Sequence, residues 1–88
     1  MLKLEFTTQF KKDLKLAKKR RKDTDKLDEI VEKLLNKKPL DAKHRDHPLS
    51  GDYKDHQECH IEPDWLLIYR KMQTKIILVR TGTHSDLF

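Results

Sequence analysis

Cysteine, glycine and proline are all scarce in this chain. A single cysteine, Cys59, leaves no partner for an intrachain disulfide, so the fold must hold through its core and its hydrogen bonds, as suits a reducing cytoplasm. Two glycines and three prolines among 88 residues are too few for a flexible linker or a disordered low-complexity chain. No run of about 18 apolar residues is present, which excludes a membrane-spanning helix. Met1–Phe6 lacks the apolar stretch of a signal peptide, and no internal repeat is found. Such a length implies one domain, residues 1–88, with a thin core, because a chain of this size buries only roughly 60–65% of its unfolded surface. A surface site fits on such a domain; a deep cofactor cavity does not, and no cofactor is expected.

Charge, by contrast, is plentiful. Charged residues make up 40% of the chain and hydrophobic residues 35%, with a net charge of +5. Residues 1–40 hold 13 Lys and Arg against 7 Asp and Glu, whereas residues 41–88 hold 7 against 8 together with all five histidines. The first part therefore reads as an electrostatic handle for a polyanion, and the second as the place for chemistry.

The apolar residues are periodic. Leu2–Phe6 alternates as a strand does. Thr7 or Thr8 can cap a following helix whose stripe is Phe10, Leu14 and Ala17. After a break at Lys22-Asp23-Thr24, Leu27, Ile30, Val31, Leu34 and Leu35 define a second amphipathic helix, stopped by Asn36 and Pro39. The short connection predicts an antiparallel helix pair. Residues 39–56 read as a long loop. Three strand-like runs follow, Gln57–Ile61, Trp65–Arg70 and Lys75–Arg80, and Thr81–Phe88 reads as a flexible tail. The order β-α-α-β-β-β predicts an α+β fold, a small mainly antiparallel sheet with both helices on one face.

Three histidines stand where sites are usually built, at turns and strand ends: His47 in a Pro/Gly loop, His60 just before the turn at Pro63, and His84 after the last strand. One reading is a metal site, since His44-x2-His47 and His56-x3-His60 have ligand-like spacing. Against it, residues i and i+4 of a strand lie roughly 13 Å apart, too far to share an ion, and no metal is expected. The other reading is acid–base cleavage of RNA. RNA carries its own nucleophile, the 2′-hydroxyl, and needs only a base, an acid for the leaving oxygen and a cation on the phosphoryl oxygens. Imidazole serves as either acid or base near neutrality, and arginine offers a planar fork to phosphate. His47, His60, His84, Asp64 and Arg80 supply these types. Trp65 and Phe88 are candidates for stacking on bases, although Trp65, which opens an apolar strand, reads first as a core residue. Lys18, Lys19, Arg20, Arg21 and Lys22 form a dense cationic run with only Asp23 and Asp25 near it in sequence, which suits docking on ribosomal RNA.

At these residues the sequence resembles the YafQ-type toxins of the RelE/ParE superfamily of bacterial type II toxin–antitoxin systems. The resemblance runs the length of the chain. It lies in Asp13-Leu14-Lys15-Leu16-Ala17, Asp46-His47-Pro48-Leu49-Ser50-Gly51, His60-Ile61-Glu62-Pro63-Asp64-Trp65-Leu66-Leu67-Ile68-Tyr69, Arg80-Thr81-Gly82-Thr83-His84-Ser85 and the terminal Leu87-Phe88. It implies a microbial-ribonuclease-like (RelE-like) sheet and an endoribonuclease that enters the ribosomal A site and cuts translated mRNA. By position it implies that His47, His60, Asp64 and His84 are the acid–base set, that Arg80 binds phosphate, and that Trp65 and Phe88 belong to the site. It further implies a cognate antitoxin, the 30S ribosome and mRNA as partners, operator DNA for the toxin–antitoxin complex, no membrane, and a cytoplasmic location. His44 and His56 are additional and carry no expected role. Two alternatives share the basic face. A ParE-like toxin would bind DNA gyrase without cutting RNA, and has no need of acid–base groups. A basic regulatory module that binds ribosomes or nucleic acid would have no antitoxin gene beside its own.

Overall fold

The computed structural model describes all 88 residues. Strand β1 (Lys3–Phe6) leads into helix α1 (Thr8–Lys19), followed by α2 (Thr24–Leu35). Then come the two-residue strand β2 (His47–Pro48), β3 (Gln57–Glu62), β4 (Trp65–Lys71), β5 (Lys75–Gly82) and helix α3 (His84–Leu87). The strands form one sheet in the order β1-β5-β4-β3-β2. Only the β1–β5 pairing is parallel. The α+β fold expected from the sequence is therefore present.

Local chemistry sets the helix boundaries. The Thr7 hydroxyl accepts the Phe10 N–H at 2.9 Å and donates to the Val79 carbonyl at 2.7 Å, so one side chain caps α1 and ties it to β5. Loss of such a cap costs about 1 kcal/mol. The Asp23 carboxylate caps α2 by accepting the Asp25 N–H at 3.0 Å.

Alternation then divides the sheet between two cores. Cys59, Ile61, Trp65, Leu67, Tyr69, Ile76 and Leu78 face α1 and α2, and meet Phe10, Ala17, Leu27, Ile30, Val31 and Leu34. Leu66 and Ile68 face the other way and pack with Leu87 of α3. Strand β4 is thus buried on both faces from Trp65 to Tyr69, and each of its buried apolar side chains contributes about 1.5–3 kcal/mol. Each long helix packs chiefly on the sheet, α1 against β5 and α2 against β3 and β5, rather than on the other helix.

Two expectations are corrected. The stretch 39–56 is not one irregular loop: it holds two 3-10 turns, Ala42–His44 and Gly51–Tyr53, and strand β2, which pairs with β3. Nor is Thr81–Phe88 a flexible tail. Thr81 and Gly82 complete β5, and residues 84–87 form α3, closed by a capping box in which Thr83 and Asp86 exchange hydrogen bonds. Burial of Leu87 among Leu66 and Ile68 holds this short helix on the sheet. Gly82 permits its close approach, because a Cβ there would lie 2.9 Å from the Asp86 Cβ.

Candidate active site

Strand register assembles the site. His47 pairs with Glu58, Glu58 with Ile68, and Ile68 with Arg80, so four strands contribute one row across the sheet. The neighbouring row is His60, Leu66 and Gly82, from which the chain turns into His84. Cys59 and Leu67 alternate with these residues and enter the core under α1 and α2, so both rows lie on the face that α3 covers.

Four expected residues come together there in two groups. In the first, the Glu58 carboxylate lies 3.6 Å from His47 Nε2 and 3.4 Å from His60 Nε2, with its own side chain only 8% exposed. His47 Nδ1 lies 2.6 Å from the Arg45 carbonyl. A carbonyl only accepts, so Nδ1 carries the proton and Nε2 turns to Glu58. In the second group, Asp64 Oδ1 accepts the His84 backbone N–H at 2.9 Å and meets His84 Nδ1 at 2.6 Å. The His84 N–H, and then its ring, hold the Asp64 carboxyl below its ordinary pKa. The groups meet where the rings of His60 and His84 stand edge to face, 5.6 Å between centroids. With Nδ1 of His84 committed to Asp64, Nε2 is the atom left for a substrate.

Arg80 lies in the same row as His47 and Glu58, but its guanidinium is held by Asp13 of α1, with Nε 2.9 Å from Oδ2 and Nη2 3.1 Å from Oδ1. The reason is topological. Strand β1 ends at Phe6, opposite Leu78, so β5 becomes an edge beyond that point. Asp13 covers the edge by accepting the Thr81 N–H at 3.3 Å while gripping Arg80. The Asp13 carboxylate raises the Arg80 pKa above its ordinary value, with a smaller contribution from Tyr53.

The aromatic candidates separate. Trp65 is 1% exposed and packs beneath α1 and α2, as its place at the head of an apolar strand suggests, so it presents no open ring face to a base and the stacking role is corrected. Phe88 is 65% exposed, with its ring edge to face against Tyr53 at 5.9 Å. His56 turns away from the cluster, its Nδ1 bonded to the Lys54 carbonyl at 2.9 Å. Sequence reasoning missed Glu58 and Asp13. The first was findable, because Glu58 lies two residues before His60 and so shares its strand face; Asp13, 67 residues from Arg80, was not.

The sequence pattern of the bacterial toxins of type II toxin–antitoxin systems named YafQ matches residues 2–88. The chain belongs to the YafQ toxin family. It is similar to the mRNA interferase toxin YafQ of Escherichia coli K12, 45% identical over 86 residues, covering 97% of this chain and 94% of that one. YafQ in the crystal structure of the E. coli DinJ–YafQ toxin–antitoxin complex is 44% identical with a TM-score of 0.91, covering 99% of this chain and 97% of that one. A metal-bound toxin from Helicobacter pylori is likewise 44% identical, with a TM-score of 0.92 and full coverage of both chains. In the present toxin no group of three His, Cys, Asp or Glu side chains is spaced to hold a metal ion.

What fixes His84 in the toxin is the fastening of α3. Arg20 at the end of α1 reaches Asp86 at 2.6 Å. That guanidinium, helped by the Thr83 N–H, lowers the Asp86 pKa from 3.8 to about 2. A carboxyl depressed on folding adds stability above its unfolded pKa and loses it as pH falls through the folded value. The fastening should therefore be complete above about pH 4 and lost toward pH 2. Between those limits, unfolding midpoints of the wild type should fall more steeply than those of Asp86→Asn, and parallel profiles would refute the assignment.

The cationic run at the end of α1 is thinner than its sequence suggests. Arg20 is paired with Asp86, and Lys22 lies 3.8 Å from Glu62, acids more than 30 residues away. Lys18, Lys19 and Arg21 remain exposed and make no ion pair. Of the five cations in the run, three are therefore free.

Proposed function

We propose that the toxin is an endoribonuclease that cuts mRNA in the ribosomal A site by acid–base chemistry without a metal. The observation that carries this reading is the facing pair His60 and His84, each backed by its own carboxylate, Glu58 on the same strand and Asp64 in the turn before β4. In the proposed reaction a 2′-hydroxyl gives its proton to the His47–Glu58–His60 group and its oxygen attacks the adjacent phosphorus. The bond from phosphorus to the 5′-oxygen breaks, and His84 Nε2 protonates that leaving oxygen. The products are a 2′,3′-cyclic phosphate and a 5′-hydroxyl. Asp64 acts through His84, fixing its ring and stabilising its charged form. Arg80, with Asp13 holding its fork, neutralises the phosphoryl oxygens. Phe88 offers a ring to a base. A toxin that merely bound DNA gyrase would need none of these paired groups.

The name of the E. coli K12 relative supports mRNA as the substrate, and the DinJ–YafQ complex supports a cognate antitoxin as partner. Within this reading the toxin acts in the cytoplasm, and its complex with the antitoxin binds operator DNA. The test is primer extension on mRNA after induced expression, with chemical analysis of the new ends. Cuts within translated frames ending in a cyclic phosphate and a 5′-hydroxyl are expected; intact mRNA in growth-arrested cells would overturn the reading. Toxin stripped with chelator and then exchanged into ribosome buffer should keep full activity. Loss of cleavage that returns on adding a metal ion would restore the metal reading.

Lys18, Lys19 and Arg21 are the proposed docking contacts to ribosomal RNA. Reversing charge at Lys19 and Arg21 should weaken ribosome binding and make its salt dependence shallower, since fewer counterions are released. Unchanged affinity and slope would make this end of α1 a solubility face.

A further inference from the structure

We infer that the cavity between α2 and the Ala42–Arg45 turn is an RNA-backbone subsite, which holds the mRNA phosphate flanking the scissile one. The inference rests on the ribonuclease reading above. The cavity measures about 640 Å³, which is the size of ordinary ligand sites. His60 and His84 are among its lining residues, so a strand engaged by the catalytic pair lies against this space. The exposed ring of Pro63 gives it apolar surface, suited to a sugar or a base lying flat.

Its cations divide into two kinds. Lys26 is engaged by Glu62 at 2.9 Å, and Lys33 lies 3.9 Å from Asp41. Lys43 and Arg45 are exposed, line the same cavity and make no ion pair. They sit on a turn that is costly to form. Arg45 has φ 47° and ψ 46°, the left-handed region, which costs a residue with a side chain about 1–2 kcal/mol. Two imidazoles hold that turn against the catalytic strands. His44 Nδ1 donates to the His60 carbonyl at 2.6 Å, and His47 Nδ1 donates to the Arg45 carbonyl at 2.6 Å. The toxin thus keeps two unpaired cations in a strained, fixed turn beside its catalytic pair. His44, which has no part in the acid–base step, becomes the positioning residue of this subsite. Long flexible cations without a donor–acceptor pattern neutralise phosphate and do not read base edges. The subsite therefore takes single-stranded RNA irrespective of sequence.

The test uses a 2′-O-methyl trinucleotide, which lacks the nucleophile and cannot be cut. Titrated into the isotopically labelled wild-type toxin, it should shift the backbone amides of residues 43–45 together with those of His60 and His84. In Lys43→Gln/Arg45→Gln its affinity should fall roughly tenfold, the effect of losing charge-assisted contacts. The slope of log affinity against log salt should become shallower by roughly 0.7, for the one phosphate no longer neutralised on a single strand. Lys11→Gln/Lys12→Gln, equal in charge change but on the exposed side of α1 outside the cavity, should leave both unchanged. No binding by the wild type, shifts confined to the catalytic residues, or equal affinity in the 43/45 variant would each overturn the subsite. Should the double variant fail to fold, the shift map on the wild type decides alone. Failure of the ribonuclease reading has a separate signature, the absence of mRNA cleavage by the wild type on ribosomes.

Discussion

His84→Ala is expected to lower mRNA cleavage on translating ribosomes by roughly 10²–10⁴-fold, the usual effect of removing a general acid. The ring is half exposed, Nδ1 is spent on Asp64, and Nε2 is the one atom of the pair aimed at neither a carboxylate nor the backbone. Alanine retains the backbone N–H that Asp64 accepts, and Leu87, Asp86 and Thr83 still fasten α3, so the fold should persist. Far-ultraviolet circular dichroism and antitoxin binding should match the wild type. Cleavage at the wild-type rate would remove His84 from the reaction. A loss matched by a lower unfolding midpoint would instead make it a structural contact.

The largest loss of stability is expected from Asp13→Ala. The carboxylate is 9% exposed and accepts from Arg80 twice, from the Thr81 N–H and from Gln9. Its removal leaves a guanidinium and an edge N–H without partners. Breaking a fully buried pair costs about 3–5 kcal/mol. Arg80 keeps about a quarter of its side-chain surface in water, so a cost of about 2–3 kcal/mol is expected here after that discount. Activity should fall further than the folded fraction does, because a freed Arg80 no longer presents one fixed fork. Asp13→Asn separates the two effects: it keeps the shape and one acceptor, so it should recover much of the stability and less of the activity. Chemical denaturation and single-turnover cleavage on ribosomes would measure them. Equal stability of Asp13→Ala and the wild type would show that solvent satisfies the Thr81 edge.

The two histidine groups differ in how far the sequence revealed them. His60 and His84 were visible as histidines flanking a turn and following a strand, and their resemblance to a family motif placed them in one site. Their carboxylates were less visible. Asp64 stood in the same motif. Glu58 has only the two-residue strand period to mark it, and the histidines beside it drew the attention. The cationic run shows the opposite error, since charges that have no partner nearby in sequence acquire one when distant elements meet.

What the sequence determined by itself was local: the apolar period of each helix, a cap at Thr7 or Thr8 and another at Asp23 or Thr24, the three long strands, and the residue types for cleaving RNA. These follow from contacts within a few positions, where spacing alone fixes geometry. Tertiary structure alone decided which charges are free, which aromatic is covered and what holds the last eight residues. Register across four strands sets His47 and Glu58 in line with Arg80, and the early end of β1 exposes the edge that Asp13 covers. Burial seals Trp65 in the core, and Leu87 turns an apparent tail into a helix. Each of these depends on residues tens of positions apart, and a hydrogen bond or a packed face between them has no period to betray it along the chain.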